Sequence, residues 1–122
     1  MRRNILVVDD NVDLVRIAQA LLKFQGYEVL TASGGAEALT QLAQSRPDLM
    51  ILDIMMPGMN GLEVLKQIRE NPGLARLPVI LLSVKAQDED ILLGYRSGAD
   101  YYLPKPSTLK QLLYAIEHVL GT

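Results

Sequence analysis

The chain contains no cysteine and no tryptophan, a single phenylalanine and a single histidine among 122 residues. Without cysteine there is no disulfide, no thiolate metal centre and no cysteine nucleophile, a pattern that fits a reducing compartment. No apolar run is long enough to span a bilayer. The opening Met1-Arg2-Arg3-Asn4 leads into a short apolar stretch that ends in two aspartates, whereas a secretory signal needs a longer apolar stretch and a small-residue cleavage site. The expectation is a cytoplasmic protein with no membrane partner. An excess of one charge is also lacking. Twelve Lys and Arg against 14 Asp and Glu leave a net charge of −2, and the basic residues are scattered rather than gathered into a stripe. No direct nucleic-acid contact is expected from this stretch. Repeats, low-complexity tracts and linkers are missing as well. What is present is 49% apolar and 21% charged, the balance of a folded globular chain rather than a disordered one. The length gives room for one core, so residues 1–122 are expected to form one domain.

Two kinds of segment alternate along the chain. Short apolar runs at Ile5–Val8, Tyr27–Thr31, Leu49–Leu52, Val79–Leu82 and Tyr101–Leu103 read as strands. Between them apolar residues recur at helical spacing: Leu14, Val15, Ile17, Ala18, Leu21 and Leu22; Ala38, Leu39, Leu42 and Ala43; Val64, Leu65 and Ile68; Leu109, Leu112, Leu113, Ile116 and Leu120. The punctuation agrees. Gly26 stands where a helix ends, and Pro47 and Pro72 follow stretches that they cannot continue. Asn60 with Glu63 and Thr108 with Gln111 have capping-box spacing. Asp88, Glu89 and Asp90 place negative charge in a first helical turn, where the dipole favours it. Five strands alternating with five helices predict an α/β, doubly wound fold: a five-stranded parallel sheet covered on both faces. The last run ends at Pro104 and suits an edge strand.

The polar residues that stand out lie just past the ends of the apolar runs. Asp9 and Asp10 follow the first, Asp53 the third, Ser83 the fourth, and Lys105 comes shortly after the fifth. In open α/β sheets ligands bind beyond the carboxyl ends of the strands, where the strand order reverses. In the flavodoxin-like order 2-1-3-4-5 that point lies between the first and third strands, which deliver the three aspartates. Three carboxylates brought together push one another toward protonation, and a divalent cation relieves the conflict. All-oxygen ligands with no cysteine or nearby histidine favour Mg²⁺. With Lys105 alongside, such a site is suited to neutralise a transferring phosphoryl group. A carboxylate can itself be the nucleophile, giving an acyl phosphate, and Ser83 could donate to its oxygens. Each residue alone has a plainer reading: a solvated turn for Asp9 and Asp10, a helix cap for Asp53 or Ser83, a surface lysine for Lys105. Their convergence at one rim is what favours chemistry. His118, in the last helix, reads as a surface residue, and Met55, Met56 and Met59 as packing and loop residues.

Four motifs in order, Val7-Val8-Asp9-Asp10, Asp53-Ile54-Met55-Met56-Pro57-Gly58-Met59-Asn60-Gly61, Leu82-Ser83 and Gly98-Ala99-Asp100-Tyr101-Tyr102-Leu103-Pro104-Lys105-Pro106, closely resemble the receiver domain of two-component response regulators across essentially the whole chain. The resemblance implies a phosphoacceptor switch rather than a turnover enzyme, one that catalyses only its own phosphoryl transfer and slow autodephosphorylation. Asp53 would accept a phosphoryl group from the phosphohistidine of a histidine kinase or histidine phosphotransfer protein. Mg²⁺ would be held by Asp10, Asp53 and the backbone carbonyl of Met55, with Asp9 acting largely through water. Lys105 would pair with the phosphoryl group, and the Lys105–Pro106 peptide would be cis. Ser83 would move toward the phosphate and Tyr102 would rotate inward, changing the surface of the fourth helix, fifth strand and fifth helix. Further partners implied are an output domain or downstream protein, a second copy of the chain on that surface, and a kinase docked on the first helix near Leu14 and Val15.

Some positions depart from the pattern. Val84 stands where a small Ala is usual, Pro104 precedes the lysine, and Ser107 replaces a frequent Phe, so packing under the last helix is expected to differ. Met55 and Lys85 occupy the positions that tune hydrolysis and offer no carboxamide or carboxylate to orient water. A long-lived phosphoryl form is the expectation. Other functions fit less well. A phosphatase built on Asp53 would want an acid where Met55 stands and a cap that a chain of this length lacks. A flavodoxin-type cofactor binder would want a hydroxyl-rich or glycine-rich phosphate loop where Asp9-Asp10-Asn11 stands. A degenerate receiver would not keep the full acidic set.

Overall fold

A computed structural model describes residues 2–85 and 87–121; Ala86 and the two ends of the 1–122 span lie outside them. The elements alternate without exception: β1 (Asn4–Val8), α1 (Val12–Phe24), β2 (Glu28–Ala32), α2 (Gly35–Gln44), β3 (Leu49–Asp53), α3 (Gly61–Glu70), β4 (Val79–Ser83), α4 (Asp88–Arg96), β5 (Tyr101–Pro104) and α5 (Leu109–Leu120). All pairings are parallel, in the order β2-β1-β3-β4-β5. Three of the five apolar runs, in β1, β3 and β4, are central strands, and β5 is an edge that carries Pro104. Strand bounds differ from the sequence expectation by a residue or so, because hydrogen bonding reaches past the last apolar side chain.

Alternation of side chains splits the core into two layers. Leu6, Val8, Met50, Leu52, Val79, Leu81 and Tyr102 pack on one face with residues of α2, α3 and α4. Ile5, Val7, Leu49, Ile51, Ile80 and Leu103 pack on the other with α1 and α5. The expected caps form, though at α3 only the Asn60 half of the box is made. Gly26 follows α1 with φ +99°, the left-handed region that glycine enters without a Cβ clash. Thr108 and Gln111 make the full reciprocal box at α5. Asn60 accepts from the Glu63 N–H at 3.0 Å. The first helix is less deeply seated than its apolar spacing predicts. Leu22 is its buried anchor, while Ile17 and Leu21 remain 57% and 37% exposed. Both border a cavity between α1 and α5.

Candidate functional site

Register determines which residues meet. Val8 pairs with Leu52, so Asp9, one residue further, is level with Asp53 on the neighbouring strand. Asp53 pairs with Leu82 and Ser83 with Pro104, and the Lys105 N–H donates to the Ser83 carbonyl at 2.7 Å. All these residues lie at the carboxyl end of the sheet. Asp9 and Asp53 share the side of the sheet that faces α1 and α5, by alternation from Val7 and Ile51. Ser83 and Tyr102 share the opposite side.

One carboxylate oxygen from each of Asp9, Asp10 and Asp53 lies within 4.8 Å of the others. Asp9 and Asp53 are buried, at 4% and 5% exposure, and Asp10 is exposed. The Lys105 ammonium donates to Asp9 Oδ2 at 2.7 Å and stands 3.6 Å from Asp53 Oδ1. The Met55 N–H donates to Asp53 Oδ1 at 3.3 Å, which brings its peptide against the cluster. Asp9 also serves the local turn, accepting from the Asn11 N–H at 3.0 Å. None of the three aspartates caps a helix: the caps of α1 and α3 are Asn11 and Asn60. The Asp53 carboxyl is pushed up to about 6, first by burial and then by the Asp9 charge, with Lys105 and the Met55 N–H opposing. The donor set is all oxygen, anionic and crowded, with an open depression beside it lined by Asp10, Met55, Pro57, Asn60 and Lys85. It fits a hard divalent cation such as Mg²⁺ that keeps part of its water.

Ser83 is fully buried, and its Oγ accepts from the Lys85 N–H at 3.2 Å. Tyr102 is already turned inward. The residue is 5% exposed, its hydroxyl donates to the Lys85 carbonyl at 2.7 Å, and its backbone N–H donates to the Tyr95 hydroxyl. The Lys105–Pro106 peptide is cis. Val84 is 63% exposed and Met55 is 49% exposed, whereas Met56 is buried. His118 is on the surface, stacked against Tyr114.

Three supporting residues were not singled out by sequence reasoning. Gly61 lies so close to the carbonyl of Asp53 that any Cβ would collide with it, and its N–H donates to Ile54 at 2.8 Å. That contact holds the loop after β3 down on the strand end. Gly94 plays the same part for Tyr102: a Cβ there would stand 2.6 Å from the ring. Arg69 donates to the carbonyls of Ala75, Leu77 and Gly98 and to Asp100, joining α3 to the loops before β4 and β5. The signals for the two glycines were a Gly in a helix's first turn and a Gly inside a helical repeat, where it costs helix stability without a local reason. Arg69 left no signal, because three of its partners are backbone carbonyls, which no residue type marks, and the fourth, Asp100, lies 31 residues away.

Comparison with known proteins agrees over nearly the whole chain. The profile of the response regulator receiver domain matches residues 5–117. The DNA-binding response regulator MtrA of Mycobacterium leprae is 40% identical over 113 residues, covering 93% of this chain and 49% of that protein. The alkaline phosphatase synthesis transcriptional regulatory protein PhoP of Bacillus subtilis is 38% identical over 120 residues, covering 98% and 49%. The chain thus spans about half the length of these relatives. Among solved structures, the chemotaxis protein CheY4 of Vibrio cholerae superposes with a TM-score of 0.92 at 32% identity, covering 98% of this chain and 99% of that one. A CheY-like receiver domain protein of Methanospirillum hungatei gives 0.90 at 30% identity, covering 99% and 95%.

Proposed function

We propose, since this chain belongs to the response regulator receiver family, that Asp53 is its phosphoacceptor and that residues 1–122 act as one phosphorylation-driven switch. The supporting observation is the meeting of Asp9, Asp10 and Asp53 oxygens within 4.8 Å, with the Lys105 ammonium against two of them. Asp10, Asp53 and the Met55 carbonyl would hold a Mg²⁺ ion, with Asp9 acting largely through water, and the ion would supply charge neutralisation for the carboxylates and for phosphoryl oxygens.

The chain's own groups do the rest. An Asp53 carboxylate oxygen attacks the phosphorus of a phosphohistidine on a histidine kinase or histidine phosphotransfer protein. The P–N bond breaks, its electron pair returns to the imidazole, and an acyl phosphate forms. Lys105 moves its ion pair from Asp9 toward the new phosphoryl oxygens. The Ser83 hydroxyl, released from the Lys85 N–H, donates to another. That exchange pulls on the β4–α4 connection, whose Lys85 carbonyl also holds Tyr102. Since Tyr102 is already buried, phosphorylation acts by tightening an existing inward packing more than by swinging the ring. The packing change is read out at α4, β5 and α5, by an output domain, a downstream protein or a second copy of the chain. The two packings need differ by only a few kcal/mol, on the order of what the added charge supplies. The working location is the cytoplasm, and no helix among the described residues is long and apolar enough to cross a membrane.

The test is incubation with a small-molecule phosphodonor and Mg²⁺, followed by intact mass. One phosphoryl adduct is expected, lost on chelation and absent in Asp53→Asn. An adduct that survives in Asp53→Asn would move the acceptor elsewhere.

A further inference from the structure

The α1–α5 side of the sheet is not closed. Between the two helices lies a cavity of about 110 Å³. Its walls are aliphatic, with Leu14, Ala18 and Leu21 from α1 facing Leu109 and Leu112 from α5. The inner end is formed by Val7 and Ile51 of the sheet and by Asp9 and Asp53. The outer end is formed by Ser107 and Thr108. The two hydroxyls there are not equivalent. Thr108 Oγ1 is engaged in capping α5, whereas the half-buried Ser107 makes no hydrogen bond to the described residues and its hydroxyl is open to solvent. The exposure of Ile17 and Leu21 noted above borders the same space.

In an unrelated protein an aliphatic cavity of ~150 Å³ stays dry and takes up benzene. The present space is somewhat smaller but open at one end, so a single ring fits with its polar edge outward. A longer chain would meet the sheet, an anionic group would meet the Asp9 and Asp53 carboxylates, and a cation would have to displace Lys105, which already stands against both. A neutral hydroxyl at the ring edge would find Ser107. We propose that this cavity binds a small neutral molecule made of one apolar ring, or a branched alkyl group of similar bulk, carrying a single hydroxyl that pairs with Ser107. The bound ring lies against the inner wall that Asp9 and Asp53 form, on the far side of the sheet from Ser83 and Tyr102.

The probes are phenol and benzene, titrated into the unphosphorylated full chain with no phosphodonor, so that the outcome is independent of whether Asp53 is the acceptor. The readout is ¹³C methyl shifts of Leu14, Ala18, Leu21 and Leu112. Saturable shifts confined to these methyls are expected, with a Kd for phenol on the order of 1 mM or tighter, as suits so small a ligand. Ser107→Ala is expected to weaken phenol severalfold and leave benzene unchanged. Ser107→Phe fills the space from the α5 side and is expected to abolish both sets of shifts while raising Tm. Ala18→Leu, which fills it from the α1 side, is expected to do the same, so that a folding failure in one variant leaves the other decisive. Linear, unsaturated shifts up to the solubility of the probes would overturn the proposal. So would binding that survives in a folded, cavity-filled variant.

Discussion

Asp53→Asn is expected to make the metal-free protein more stable, although it removes the residue on which function rests. Burial and the Asp9 charge raise the Asp53 carboxyl from 3.8 to about 6. At about 1.4 kcal/mol per pK unit, the ionised side chain costs up to ~3 kcal/mol relative to an unstrained one. Water enters the rim beside the exposed Asp10 and screens part of this, so roughly 1–3 kcal/mol is the working figure. The sign follows from proton binding. Between the unfolded value near 4 and the folded value near 6, the native state holds more protons than the unfolded one. Stability due to this group is complete below pH ~4 and is lost as pH rises through ~6. Asparagine cannot ionise and escapes that loss. For a chain of this length the difference corresponds to a Tm rise of about 4–12 °C above pH 7. The assay is thermal unfolding followed by circular dichroism in EDTA, from pH 4 to pH 8, and repeated with Mg²⁺. The Asn variant should melt higher above pH 6, and the gain should close toward pH 4. Added Mg²⁺ should raise the wild type more than the variant and shrink the gap. A variant that melts at or below wild type in EDTA at pH 8 would refute the reasoning, as would a gain that is the same at pH 4.

The supporting residues give further expectations. Arg69→Met removes donors from three backbone carbonyls and from Asp100; a loss of about 2–3 kcal/mol in urea unfolding is expected, and a change under ~0.5 kcal/mol would show the guanidinium to be dispensable. Gly94→Ala sets a helix gain of up to ~1 kcal/mol against a Cβ 2.6 Å from the Tyr102 ring and 3.1 Å from Leu81. Overpacking of ~1–3 kcal/mol should win, with the near-ultraviolet tyrosine signal altered as the ring leaves its seat; a stabilised variant with an unchanged spectrum would contradict this. The phosphoryl form should decay slowly, because Met55 and Lys85 line the open side of the site and the Asn60 carboxamide beside them is engaged in capping α3. Following the adduct by intact mass in Mg²⁺ buffer should show a slow loss that Met55→Asn accelerates severalfold. Decay as fast as in a chemotaxis-type receiver would remove the argument.

Much of the site was legible because its parts occupy one kind of position. Asp9, Asp53, Ser83 and Lys105 each follow an apolar run directly or within a residue or two, and a parallel sheet sends all such ends to one rim. Tyr102 was legible as a candidate but not in its position. Whether its ring points inward depends on the space over Gly94 and on the Lys85 carbonyl, and neither can be read from strand propensity. The degree of burial of α1 was not legible for a related reason. Periodicity shows which face of a helix is apolar, but how closely that face is covered depends on the neighbouring helix, here α5 with the small Ser107 at the entrance.

Sequence alone determined the alternation of strands and helices, their caps, and the acidic and basic residues at the strand ends, since these follow from local backbone chemistry and from the period of burial. Tertiary structure alone decided the 2.7 Å contact of Lys105 with Asp9, the raised Asp53 carboxyl, the inward Tyr102 and the cavity behind the aspartates. Those depend on distances and solvent exclusion between residues far apart in the chain, quantities that exist only once the sheet has its register and the helices have packed.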